Sequence, residues 1–208
     1  MSKVVIINHP LIQHKLSIIR SKDTSSKEFR ELVQEVGSLM TYEATRDLEV
    51  QPIEIETPLA KSVQHELKDN IVIVPVLRAG LGMADGISDM MPQARVGHLG
   101  LYRDEATLKT CRYYAKLPKG IEKAVVILVD PMLATGNTVV SAVDIIKESG
   151  AKKIIYVGLV GVQEGIDNIL KHHPDVDIYL ASKDERLNEV GYIVPGLGDC
   201  GDRLFGTK

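Results

Sequence analysis

Cysteine is scarce in this chain: of its 208 residues only Cys111 and Cys200 are cysteines, far apart and without metal-ligand spacing. Free thiols in a reducing cytoplasm are the plain expectation, and a disulfide framework is excluded. The six histidines form no metal-binding pattern either, and no protein-ligated metal site is assigned. His172 and His173 fall near the end of an expected helix, where cations are favoured without any catalytic role. No apolar run is long enough to span a bilayer, and the N-terminus lacks a signal-peptide pattern. Basic runs are absent too. A net charge of −3 and a pI near 6.1 give no support for a nucleic-acid or anionic-membrane surface. A Walker loop is missing as well, since no Gly-Lys-Ser/Thr occurs, and the turn at 134–138 is not the Gly-x-Gly-x-x-Gly of a dinucleotide fold.

What remains is an ordinary soluble composition, 44% hydrophobic and 25% charged. The length suits one domain with a substantial core. Within the single domain 1–208, three parts are expected: an N-terminal helical and arm region over 1–58, a core over 71–182, and a C-terminal segment over 183–208.

The most informative stretch is 126–138. Val126, Ile127, Leu128 and Val129 run straight into Asp130, as in a strand buried on both faces. A turn of small residues follows, then an amphipathic run over 139–149 with Gly150 placed to stop it. The unit reads strand, loop, helix, with Asp130 at the strand's carboxyl end, where open parallel sheets bind ligands. The loop Ala134, Thr135, Gly136, Asn137, Thr138 suits an anion. Gly136 permits close backbone approach, the threonines add hydroxyl donors, and a helix's first turn offers unpaired N–H groups. A carboxylate followed by a phosphate cradle suggests a sugar phosphate, with Asp130 accepting hydrogen bonds from ribose hydroxyls.

Elsewhere, 4–7 reads as an edge strand and 10–20 as a helix. Ser25 and Glu28 fit a capping box that opens a long helix from about residue 27 to 48. Its apolar stripe (Phe29, Leu32, Val33, Val36, Leu39, Met40, Ala44) suits a core or a dimer surface. Residues 51–58 alternate as a half-exposed strand. A buried strand over 71–77 delivers Arg78 beside Gly80 and Gly82, presenting a planar fork suited to a diphosphate. A third strand spans 94–102, and the polar segment beyond it goes out and returns as a hairpin. A strand at 153–160, a helix at 163–173 and a strand at 176–181 complete an alternating α/β pattern with a parallel sheet.

The stretch 191–206 holds five glycines and one proline, which argues against regular structure. It is nevertheless too apolar for a loose tail, with Tyr192, Ile193, Val194, Leu197, Leu204 and Phe205. An ordered loop presenting backbone groups to a ligand is expected. Rigid N–H and C=O groups can read the edge of a flat, hydrogen-bonding ligand, and a ligand with the reversed pattern leaves buried groups unpaired.

These segments together resemble the type I phosphoribosyltransferases, a parallel sheet flanked by helices with a flexible β-hairpin lid and a C-terminal base-binding loop. Residues 126–138 resemble the phosphoribosyl pyrophosphate signature, with Pro131 in place of its second acid. The one-acid form Asp130, Pro131, Met132, Leu133, Ala134, Thr135, Gly136 looks like the uracil phosphoribosyltransferase branch. Arg78 matches the pyrophosphate-binding arginine and Arg103 the phosphate-contacting arginine of the mobile lid. Ile193, Gly198, Asp199 and Cys200 match the base contacts, and Asp199 also matches a residue near the pyrophosphate and its metal. Asn137 and Cys200 depart from the residues common there (glycine and alanine); both are small, and Asn tolerates left-handed geometry.

The resemblance, which runs over essentially the whole chain including 37–45, implies transfer of phosphoribose to uracil, giving UMP and diphosphate. Its implied catalytic residues are Asp130, Arg103 and Asp199. Mg²⁺ is held mainly through phosphoribosyl pyrophosphate, GTP is an allosteric activator in many bacterial members, and the assembly is a homodimer or larger. Two alternatives stay open: a sibling transferase for purine or orotate, and a non-catalytic RNA-binding regulator on the same fold.

Overall fold

The computed structural model describes residues 2–103 and 110–207. In chain order the elements begin with β1 (Val4–Ile6), α1 (Pro10–Arg20), α2 (Ser26–Ala44), β2 (Val50–Glu56) and β3 (Lys61–Leu67). The middle of the chain supplies β4 (Asn70–Leu77), α3 (Gly80–Met90), β5 (Arg95–Val96), β6 (His98–Arg103), β7 (Thr110–Lys116) and β8 (Ala124–Val129). Then come β9 (Met132–Leu133), α4 (Asn137–Glu148), β10 (Lys153–Gly161), α5 (Gln163–His172) and β11 (Asp177–Lys183). The C-terminal part adds β12 (Arg186–Leu187), β13 (Ile193–Val194) and α6 (Cys200–Phe205).

The main sheet runs β1-β11-β10-β8-β4-β6-β7, with β5 on β4 and β9 on β10. Every pairing is parallel except β6 with β7, which forms the expected antiparallel return. The uninterrupted apolar strands follow from burial on two faces. Ile71 and Ile73 join the core under α1, α2, α3 and α6, while Val72, Val74 and Val76 join the one under α4 and α5. Likewise Ile127 and Val129 point to the first layer, Val126 and Leu128 to the second. Helices on both faces force this alternation of apolar with apolar.

Helix α2 starts where its cap predicts: the Ser25 hydroxyl accepts the Glu28 N–H at 3.2 Å. It ends at Ala44 instead of Leu48. No glycine or proline marks that end. The chain leaves the helix through tight turns in which Arg46 N–H reaches Glu43 O and Leu48 N–H reaches Thr45 O. The α2 stripe faces this chain's own core: Phe29, Val33, Val36 and Met40 are fully buried. A dimer-surface role for the stripe is therefore corrected.

The strand expected at 94–102 is broken in two, because Gly97 N–H turns to Ile73 O between β5 and β6. The half-exposed strand at 51–58 is one leg of a hairpin, β2 with β3, whose second leg the sequence reading did not find. Irregular structure throughout 191–206 is also corrected. The Asp199 carboxylate caps α6 by accepting the Asp202 N–H at 2.8 Å, and Gly206 closes it at φ 65°. A capping acid and a left-handed glycine bracket six residues that composition alone would leave as loop.

Candidate active site

Three connections converge at the carboxyl edge of β4, β8 and β10. The first is the loop after β8. Asp130 N–H continues the ladder to Val157 O at 3.2 Å, and the Tyr156 hydroxyl donates to Asp130 O at 2.7 Å. The Asp130 side chain turns back to accept the Met132 N–H at 3.3 Å. Residues Met132 and Leu133 then form β9 against Val160 and Gly161, a short strand that holds the far side of the turn.

The phosphate-loop candidates follow at once. Gly136 has φ 80°, the left-handed geometry that L side chains avoid, and it caps α4 without a side-chain hydrogen bond. The left-handed position is thus Gly136, and Asn137 is the first helical residue. One side chain the sequence did not flag organises this loop. Asn168, on α5, donates from Nδ2 to Thr135 O at 2.7 Å and to Asn137 Oδ1 at 2.8 Å. Those bonds tie the loop to α5 at the first turn of α4, where unpaired N–H groups and the helix dipole favour an anion. Nothing in the local sequence distinguishes Asn168 from any polar residue on a helix surface.

The second connection, after β4, carries Arg78. Gly80 sits so close to β8 that a Cβ there would be 2.5 Å from Val129 O. Only glycine lets this turn press against the strand that ends in Asp130. The Leu77–Arg78 peptide is cis. The Arg78 guanidinium is exposed, 3.4 Å from Asp202 Oδ1 and 5.9 Å from the centroid of the Phe205 ring. It therefore stands against α6. Arg103 ends β6; its side chain and residues 104–109, on which the lid expectation falls, lie outside the described residues.

The third connection is the C-terminal segment. Ile193, Gly198, Asp199 and Cys200 share one cleft, of about 250 Å³, with Asp130, Met132, Ala134 and Ala79. Val190, Gly191 and Tyr192 complete its rim. Pro131, Leu133, Thr135, Gly136, Asn137 and Thr138 belong to the same loop but do not line that cleft; Leu133 is wholly buried.

The electrostatics follow from this enclosure. Burial pushes the Asp130 carboxyl up to about 7, with the Met132 N–H pulling weakly the other way. Burial first, then the Asp130 and Asp199 carboxylates, raise the Cys200 thiol well above its ordinary value. That thiol is a packing group and no nucleophile at neutral pH. Among the described residues no cluster of three or more His, Cys, Asp or Glu side chains is arranged to hold a metal ion.

A parallel sheet flanked by helices, with a carboxylate, a glycine-capped helix start and an arginine just past its strand ends, has the architecture of the type I phosphoribosyltransferases. Solved structures share this fold. The chain superimposes on the adenine phosphoribosyl transferase of Trypanosoma brucei, solved with AMP, pyrophosphate and ribose-5-phosphate. That match has a TM-score of 0.61 at 12% identity, over 94% of this chain and 87% of that one. The AQ2163 protein of Aquifex aeolicus matches at a TM-score of 0.94 and 39% identity, over 99% of each chain.

The family model for uracil phosphoribosyltransferase matches residues 5–207. Uracil phosphoribosyltransferases of Acholeplasma laidlawii and Clostridioides difficile are 59% and 57% identical, over the full length of both chains. The chain belongs to the uracil phosphoribosyltransferase family. Its reaction is pentosyl transfer: uracil and 5-phospho-α-D-ribose 1-diphosphate give UMP and diphosphate.

Proposed function

We propose that the two halves of this reaction meet in the cleft between the loop after β8 and the segment 190–201. The observation that carries the proposal is that Asp130, Met132 and Ala134 line the same cleft as Ile193, Gly198, Asp199 and Cys200. In this reading the 5′-phosphate docks on Ala134, Thr135, Gly136, Asn137 and Thr138, where N–H groups and the helix dipole favour an anion. The ribose rests near Asp130, along Pro131, Met132 and Leu133. Arg78 and Arg103 neutralise the diphosphate.

Cleavage at C1′ leaves positive charge on the ribose ring, and the Asp130 carboxylate favours that transition state. Uracil N1 then attacks from the opposite face, with the base edge read by main chain at Ile193, Gly198 and Cys200. No covalent enzyme intermediate is required, and positioning and electrostatics supply the rate.

Asp130 and Asp199 are the cleft's carboxylates, and Asp199 would hold a Mg²⁺ ion that is bound mainly through phosphoribosyl pyrophosphate. When bound, the ion would spread the charge of the leaving group. The same reading carries GTP as an allosteric activator, a homodimer or larger assembly, one domain over the whole chain, and a cytoplasmic location. Among the described residues no helix is long and apolar enough to cross a membrane.

The decisive assay supplies uracil, phosphoribosyl pyrophosphate and Mg²⁺ and follows UMP, with hypoxanthine, adenine, orotate and cytosine as competing bases. UMP should form with uracil alone. Failure to form it, or UMP bound with its phosphate away from Thr135 and Thr138, would remove this site assignment.

A further inference from the structure

Main-chain recognition of a base works only if the main chain cannot adjust. A loop that shifts by a fraction of an ångström can trade a mismatched donor for water and lose its discrimination. The segment between β13 and α6 has little stiffness of its own: Gly196 and Gly198 sit at φ 63° and 79°. Something outside it must hold it.

The structure supplies that support from two places remote in sequence. Asp184, just past the end of β11, has a side chain only 2% exposed. Its Oδ2 accepts the Gly196 N–H at 2.9 Å and Arg20 Nη1 at 2.7 Å. Its Oδ1 accepts Arg20 Nη2 at 2.6 Å and the Ser182 hydroxyl at 2.9 Å. Arg20, the last residue of α1, closes the ring by donating from Nη1 to Gly196 O at 2.7 Å. Both polar groups of the Gly196 residue are thereby tied to one bidentate ion pair. Burial alone would raise the Asp184 carboxyl, but the bonds from Arg20, Gly196 and Ser182 outweigh it and hold the group below its ordinary range.

A second arginine works beside the first. Arg203 donates from Nη1 to Leu197 O at 2.8 Å and to Ile19 O at 2.6 Å, and its guanidinium lies 4.3 Å from the Phe29 ring centroid. The bonded groups all belong to Gly196 and Leu197, which do not line the cleft; Ile193 and Gly198, on either side, do. The segment thus has an anchored back and an exposed front.

Resting on the reading that Ile193 and Gly198 contact the base, we infer that Arg20 and Asp184 are the positioning residues that set uracil specificity, by clamping Gly196 from behind. Neither Arg20 nor Asp184 lines the cleft. The pair acts through the loop, and its energy goes into rigidity and not into direct contact.

The test compares the wild-type protein with Asp184→Asn and Arg20→Lys. Asp184→Asn puts an amide donor against the Gly196 N–H or Arg20, and Arg20→Lys loses the fork. Both should raise the KM for uracil about tenfold or more. They should lower the preference for uracil over cytosine, read by competition, by a similar factor, and leave the KM for phosphoribosyl pyrophosphate within about twofold. Unchanged uracil KM and preference in a folded variant would overturn the inference, as would an equal rise in both KM values.

A measurement on the wild-type chain guards against variants that fail to fold. The Gly196 amide should exchange with solvent as slowly as amides of β8, and rapid exchange overturns the clamp. Separately, UMP should shift the amide resonances of Ile193 and Gly198. Absence of that shift withdraws the base-site reading, and the inference with it, whatever the exchange of Gly196.

Discussion

Asp130 is held between two demands. As a buried carboxyl it favours the proton, and its folded value near 7 stands above the ordinary 3.8. In the proposed role, as a partner for a positive transition state, it must be ionised. The consequence for stability has a definite sign. Below about pH 3.8 the group is protonated in both folded and unfolded chains, and it costs nothing. Between there and about 7 the unfolded chain releases a proton that the folded one retains, so stability falls as pH rises. Above 7 the cost is complete.

Asp130→Asn removes that cost. Thermal unfolding should show the variant more stable than wild type by about 1–3 kcal/mol at pH 8 and equal to it near pH 4. Turnover should move the other way, falling roughly 100-fold or more. In the wild-type enzyme kcat/KM for phosphoribosyl pyrophosphate should climb as pH passes through about 7. A flat profile, or wild-type turnover in the variant, removes Asp130 from the reaction.

At the scale of an element, α6 shows how one residue serves two ends. Asp199 lines the cleft and also caps the helix by accepting the Asp202 N–H. Substitutions separate the two. Asparagine caps about as well as aspartate, so Asp199→Asn should keep the melting temperature while reducing turnover and weakening the dependence on Mg²⁺. Alanine loses both, with a stability cost of about 1 kcal/mol. Equal activity in wild type and Asp199→Asn would leave Asp199 a cap only. The loop before α4 makes a similar point from the opposite direction, since its left-handed residue is Gly136 while its brace, Asn168, comes from the next helix.

At the scale of the molecule, the C-terminal segment is welded to the N-terminal helices. Leu204 is fully buried, Leu204 O accepts Arg30 Nη2 at 3.0 Å, and Arg203 reaches Ile19 O. The core beneath α2 runs from Ile7 to Leu204 without a break. Such continuity should give one cooperative transition. Urea unfolding followed by far-UV circular dichroism and by tyrosine fluorescence should coincide, and an early transition in either would mean that the C-terminal segment opens independently. The exposed β2–β3 hairpin, with Leu59 96% and Val63 61% solvent-accessible, stands apart from that core.

Much of this was legible in the chain itself, because it depends on neighbours in sequence. The apolar runs of β4 and β8, the Ser25 cap, the Gly150 stop and Asp130 at a strand end are each written within a dozen residues. Local sterics and two-sided burial admit few other readings, and they set the α/β class and the strand–loop–helix unit around Asp130. The tertiary structure alone decided what no short window contains. Arg20 and Asp184 are 164 residues apart, and Asn168 lies 33 from the carbonyl it holds. Hydrogen bonds of this kind leave no periodicity behind. They exist only after the sheet has brought α1, α5 and the end of β11 to the same edge, so the grip on the site was the fold's to determine.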